Sequence, residues 1–188
     1  MQFSLNFRTV VVLVIVGAVG YYVYQEVFGG LVTNDVAKLM TLHRRSEPAQ
    51  QTLIKHRIMT VYNSSRDYDT VVRALDSASL TTQALAVAIL AEKVERRAVP
   101  RLLKMLDDPN RPGLVKEALA NAAGTLGIQE AIPRLVELTD KAEEPAVRAS
   151  AHNALVRLTG AGAQVKFGDA AREQWNMWLR TQRSAGVR

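Results

Sequence analysis

No cysteine occurs in the 188 residues, which excludes disulfide staples, thiolate metal sites and cysteine nucleophiles. Histidine is almost as scarce: His43, His56 and His152 stand far apart, without the short spacing of a metal-binding helix or a carboxylate cluster beside them. All three are read as surface or interhelix residues. Aromatic residues make up 6% of the chain and form no interleaved basic and aromatic patch, so nucleic acid is not an expected partner. The acidic turn Asp107-Asp108-Pro109-Asn110 lacks the alternating ligands and closing glutamate of a calcium loop. Ser64-Ser65 and Gly160-Ala161-Gly162 stand in no phosphate-loop context. No catalytic residue, cofactor-binding residue or metal ligand is assigned on these grounds, and the chain is not read as an enzyme.

What the chain does contain begins with an apolar front. From Phe7 to Tyr24 Arg8 is the single charge, and residues 9–24 carry none. Eighteen residues in a helix span about 27 Å, close to the hydrocarbon thickness of a bilayer. Residues 9–28 are therefore read as one membrane-spanning helix after a short tail, 1–8. Val11, Leu13 and Ile15 lie in its apolar body; Tyr21, Tyr22 and Tyr24 lie at its far end, where amphipathic rings sit at headgroup level. A cleaved secretory signal, cut after Gly20, is the competing reading, and the three tyrosines just past that site favour an anchor. Arg8 and the terminal amine against Lys38 within reach of the span weakly favour the following domain outside the cytoplasm.

Residues 29–48 read as a linker and juxtamembrane helix. Gly29-Gly30 forms a joint, Asn34 is placed as the cap, Val36, Leu39, Met40 and His43 fall at helical spacing, and Ser46-Glu47-Pro48 ends the helix and begins the next. From residue 49 to the end the chain repeats itself. Residues 82–107 superpose on 115–140 at a period of 33, with Pro133 on Pro100, Arg134 on Arg101 and Leu135 on Leu102. Residues 147–158 fall on 115–126 at a period of 32, and residues 51–77 match at 31. Such a period denotes a stacked array in which each unit buries its apolar face only against its neighbours.

Each central unit begins with an alanine-rich helix, carrying Ala84, Ala86, Ala88 and Ala91 or Ala118, Ala120, Ala122 and Ala123, which lets backbones approach closely. Its second helix has a larger stripe, Val99, Leu102, Leu103 and Leu106 or Ile132, Leu135 and Val136. The first unit, with a second helix expected from Tyr68, has Asp69 where the others have proline. Trp175, Trp178 and Leu179, in a last helix expected from Asp169, are read as the cap that closes the open end.

The pattern of Val-Lys/Arg, alternating alanines, Ala-Leu-x-x-Leu, a polar hinge, Ala-Val/Ile-Pro-x-Leu and Leu-Asp-Asp resembles the short HEAT-like repeats first described in phycobilisome lyases and widespread in bacterial proteins. The resemblance covers about residues 51–160 and implies an all-α fold: a right-handed α-solenoid of about four helix pairs with a C-terminal capping helix. It implies a binding scaffold rather than an activity; the lyase activity of the proteins in which the repeat was named is kept as an alternative, as is a secreted, signal-cleaved binding protein.

Off the apolar stripe of the second helices, Arg73, Arg101, Lys104 and Arg134 recur from unit to unit as a basic ladder broken by Glu137. With a net charge of +6, this points to a protein partner with an acidic segment. The expectation is a single-pass membrane protein of the bacterial inner membrane, its repeat domain in the periplasm, acting as a scaffold or accessory subunit of a membrane-associated complex.

Overall fold

The computed structural model describes residues 12, 14–21, 33–184 and 186. Every element among the described residues is α-helix or 3-10 helix. The chain divides into two compact units, Met1–Tyr62 and Asn63–Arg188.

In the first unit residues 14–21 are helical, and each is exposed. Ile15 and Tyr21, read as part of the anchor, lie in this stretch; Val11, Leu13, Tyr22 and Tyr24 lie outside the described residues. Among the described residues no helix is long and apolar enough to cross a membrane. Farther along, α1 (Val36–Arg45) packs on α2 (Pro48–Val61). The buried stripe of α1 is Val36, Leu39, Met40 and His43, as the spacing predicts, and α2 contributes Ile54 and Ile58. The cap of α1 is Asp35 and not Asn34: its carboxylate accepts from the Ala37 and Lys38 amides, while Asn34 accepts from Arg57 at 2.8 Å. A carboxylate satisfies two orphan N–H groups at the positive end of the helix, so it takes the cap from its amide neighbour.

In the second unit α3 (Ser65–Ala74), α5 (Val99–Leu106), α7 (Ile132–Glu137) and α9 (Ala171–Ser184) alternate with α4 (Leu80–Glu92), α6 (Gly113–Leu126) and α8 (Pro145–Thr159). Helix α3 starts at Ser65 and not at Tyr68, because Ser64 and Asp67 form a capping box that fixes its first turn. The last helix starts at Ala171, two residues beyond Asp169. The alanine-rich helices form the spine: α4 packs on α6, and α6 on α8, with Ala86, Ala120, Ala123, Ala151 and Ala154 buried. At Gly124 the α6 face meets the α8 backbone; a Cβ there would stand 2.9 Å from the Ala154 Cα.

The second helices are shorter and carry the larger side chains. Leu102 and Leu135 are buried at equivalent places. The stripe of α5 is rotated from the sequence expectation, so that Met105 joins Leu102 and Leu106 in the core while Val99 and Leu103 are half-buried.

The 33-residue period extends to the backbone angles. Val94, Gly127 and Gly160 all have positive φ, of 54°, 68° and 73°, and each leads into a 3-10 turn, Arg96–Ala98, Gln129–Ala131 and Ala161–Ala163. The bond that closes the helix end is the same in the first two, Glu95 N–H to Leu90 C=O at 2.9 Å and Ile128 N–H to Ala123 C=O at 3.0 Å. Glycine meets this left-handed position without strain; Val94 holds it with a β-branched side chain. At the C-terminal end Trp175 is fully buried and Trp178 half-buried, their rings edge to face at 5.9 Å.

Candidate functional site

The second-helix side of the unit is the candidate interaction face, since it carries all four ladder residues. Arg73 and Lys104 are exposed; the Arg73 Nε donates to the Asp69 carbonyl of its own helix at 3.2 Å. Arg101 and Arg134 point elsewhere. Arg101 pairs with Asp76, just past the end of α3. Arg134 donates from Nε to the Leu106 carbonyl at the end of α5, 3.1 Å away, and pairs with Glu137 on its own helix. Arg172, in the first turn of α9, repeats the device by pairing with Asp140, beyond α7, at 2.6 Å.

A rung therefore recurs, in which an arginine from the first turn of one second helix reaches back to the end of the preceding one. The carbonyls at a helix C-terminus are unpaired and carry the negative end of the dipole, which favours a guanidinium there. The same contacts hold the acids in their charged form: hydrogen bonding from Arg101 lowers the Asp76 pKa, and the Ala142 amide followed by Arg172 lowers that of Asp140. The basic ladder is thus interleaved with Asp76, Glu137 and Asp140; Asp76 and Asp140 both fall on Asp107 in the repeat alignment.

A second set of rungs joins the first helices to the loops that follow. The Lys116 ammonium contacts both Glu143 oxygens at 2.7 and 2.9 Å, and Arg148, its equivalent at a period of 32, meets Asp169 at 2.7 Å.

Between α7 and α9 lies a cleft of about 420 Å³. Ile132, Pro133, Val136 and Leu179 supply apolar walls; Gln129, Glu137, Arg172 and Asn176 supply polar groups. Repeat alignment misses it because α9 lies outside the repeating pattern. The Asn176 side chain offers a donor and an acceptor beside an apolar surface, while the Gln129 amide donates to the Leu158 carbonyl at 3.3 Å.

Among the described residues no group of three or more His, Asp or Glu side chains could hold a metal ion. His152 is buried and accepts at Nδ1 from the Trp175 indole N–H at 3.1 Å, with Phe167 edge-on at 5.6 Å. Burial lowers its pKa, keeping the ring neutral as that hydrogen bond requires. It belongs to the C-terminal cap. His43 is buried in the first unit, its pKa lowered by burial and by Lys55, while His56 is exposed.

A family model described as HEAT repeats matches residues 68–163. The chain belongs to the HEAT-repeat family. The matched region of this HEAT-repeat protein runs from within α3 to the 3-10 turn after α8, so it includes both sets of rungs on the central repeats. No curated protein matches the chain. HEAT repeats generally mediate protein–protein interaction as scaffolds and are typically not enzymes.

Proposed function

We propose that this protein is a membrane-tethered HEAT-repeat scaffold or accessory subunit that docks a protein partner on its second-helix side. The observation that carries the reading is the coexistence of a tandem helical stack with an uncharged N-terminal run, residues 9–24, whose described part is an exposed apolar helix. Exposed apolar helix is costly in water and stable in lipid. The repeats are proposed to form a right-handed solenoid of about four pairs. The proposed setting is a bacterial inner membrane with the repeats on the periplasmic side.

The partner is proposed to carry an acidic segment that meets Arg73 and Lys104, the two exposed members of the ladder. Arg101 and Arg134 are matched within the repeats, so the segment gains mainly orientation and encounter rate from them.

The test has two arms. Full-length protein should remain in native membranes after a high-salt and an alkaline wash. Crosslinking pull-down from those membranes should recover a partner that is lost from Arg73→Glu/Lys104→Glu, a variant that leaves the rungs intact. Release by alkali would point to the signal-cleaved, secreted form. Chromophore uptake on co-expression with bilin would replace the scaffold reading by the lyase one.

A further inference from the structure

The helix that follows the apolar N-terminal run has an exposed face that the packing of the first unit leaves unused. In α1, Val36, Leu39, Met40 and His43 turn inward. Lys38, Thr41, Arg44 and Arg45 are exposed, and at 3.6 residues per turn they share an arc of about 120°. That arc holds three cations and no acid. None of the three forms an ion pair with another described residue, whereas seven other Lys or Arg side chains do.

Helix electrostatics explains only part of this. Arg44 and Arg45 lie in the last turn, where the dipole favours cations. Lys38 lies in the first turn, where it does not. Residues 33–62 hold five basic side chains, Lys38, Arg44, Arg45, Lys55 and Arg57, against two acidic ones, Asp35 and Glu47. That is half of the chain's net charge of +6 in about a sixth of its length. Both acids stand at N-cap positions, Asp35 of α1 and Glu47 of α2, and the Asp35 carboxylate is engaged by the Ala37 and Lys38 backbone amides.

We infer that the basic face of α1 is a docking surface for the anionic phospholipid headgroups of the membrane in which the N-terminal run is anchored. The inference rests on the membrane-tethered reading above. A basic segment beside a membrane anchor is held near anionic lipid, each Lys or Arg contributing roughly fivefold in partitioning, and the attraction fades within a Debye length. Lipid fits this arc better than an acidic protein does. The arc lacks the apolar centre of a protein hot spot, and its middle position is Thr41, a short side chain that lets the flanking cations approach a flat surface together. Docked in this way, α1 would lie along the membrane surface.

The absence of native cysteine permits a direct test on the full chain. Thr41→Cys is labelled with a nitroxide, and the protein is reconstituted into vesicles of phosphatidylcholine alone or of equimolar phosphatidylcholine and phosphatidylglycerol. The label should lose accessibility to a water-soluble relaxation agent in the anionic vesicles and regain it at high salt. Adding Lys38→Gln/Arg44→Gln/Arg45→Gln should keep the label accessible in both, in line with a loss on the order of 100-fold in docking. Equal accessibility in the two vesicle types, with the protein floating on both, overturns the inference and leaves the anchor standing. Failure to float on neutral vesicles, with flotation on anionic ones that depends on the three cations, overturns the anchor and leaves the docking face standing.

Discussion

Replacing Gly124 by alanine sets two effects of known size against each other. Gly124 is in the interior of α6, where alanine is favoured over glycine by about 1 kcal/mol. On propensity alone the substitution stabilises. The new methyl, however, would stand 2.9 Å from the Ala154 Cα and 3.1 Å from its Cβ, inside van der Waals contact with backbone that cannot rotate away. Separating α6 from α8 disturbs a spine in which Ala120, Ala123, Ala151 and Ala154 are all buried, and overpacking of this kind costs about 1–3 kcal/mol. The net expectation is a loss of roughly 1 kcal/mol, or about 4 °C in Tm for a unit of this size.

Urea unfolding followed by circular dichroism measures it. Ala154→Gly should cost less in this background than in the native chain, since its helix-propensity cost of about 1 kcal/mol is partly offset by removing the neighbour at 3.1 Å, though not the Cα at 2.9 Å. The double-mutant cycle should therefore give a favourable coupling between the two sites. A higher stability for Gly124→Ala than for the native chain would show that propensity prevails, and the close approach of first helices would be wrong as the basis of stacking.

Leu102→Ala and Leu135→Ala, at equivalent buried positions, should each cost about 2–5 kcal/mol in the same assay; a variant with unchanged stability would mean that its side chain is not in the core. Val94→Gly should stabilise by roughly 0.5–1 kcal/mol, because relief of about 1–2 kcal/mol of left-handed strain exceeds the entropy cost of glycine, and Gly127→Val should do the reverse. Thermal stability should fall as pH drops below about 6.5, because burial lowers the His152 pKa in the folded state: the unfolded chain then takes up the proton first, and stability is complete only above the unfolded value. His152→Gln should flatten that slope, read from melting curves and from Trp175 emission.

Periodicity made the repeats legible because it reports on burial, which each helix records in its own residues. The alanines of α4 and α6, the equivalence of Leu102 with Leu135 and the closing role of Trp175 all follow from spacing alone. Details decided by one residue of competition were less legible. Asp35 displaces Asn34 as the cap of α1, and the Ser64–Asp67 capping box starts α3 three residues before Tyr68. The basic ladder was legible as residues but not as contacts. The partners of Arg101, Arg134 and Arg172 are 25, 28 and 32 residues upstream, and one of them is a backbone carbonyl, which leaves no mark in the residue pattern.

Those contacts also show why the two sides of the stack differ. The first helices are joined by alanine packing with little space left between them, and burial of that kind is insensitive to salt. The second helices are joined in part by solvent-facing rungs: in Arg101–Asp76 the acid is 72% exposed, and in Arg172–Asp140 the arginine is 45% exposed. Exposed pairs contribute only about 0–1 kcal/mol each and weaken with ionic strength. A change in spacing between repeats is therefore least costly on the second-helix side, which also holds the cleft between α7 and α9 and the exposed Arg73 and Lys104. A partner seated there would work against the weaker set of contacts while the alanine spine keeps the repeats in register.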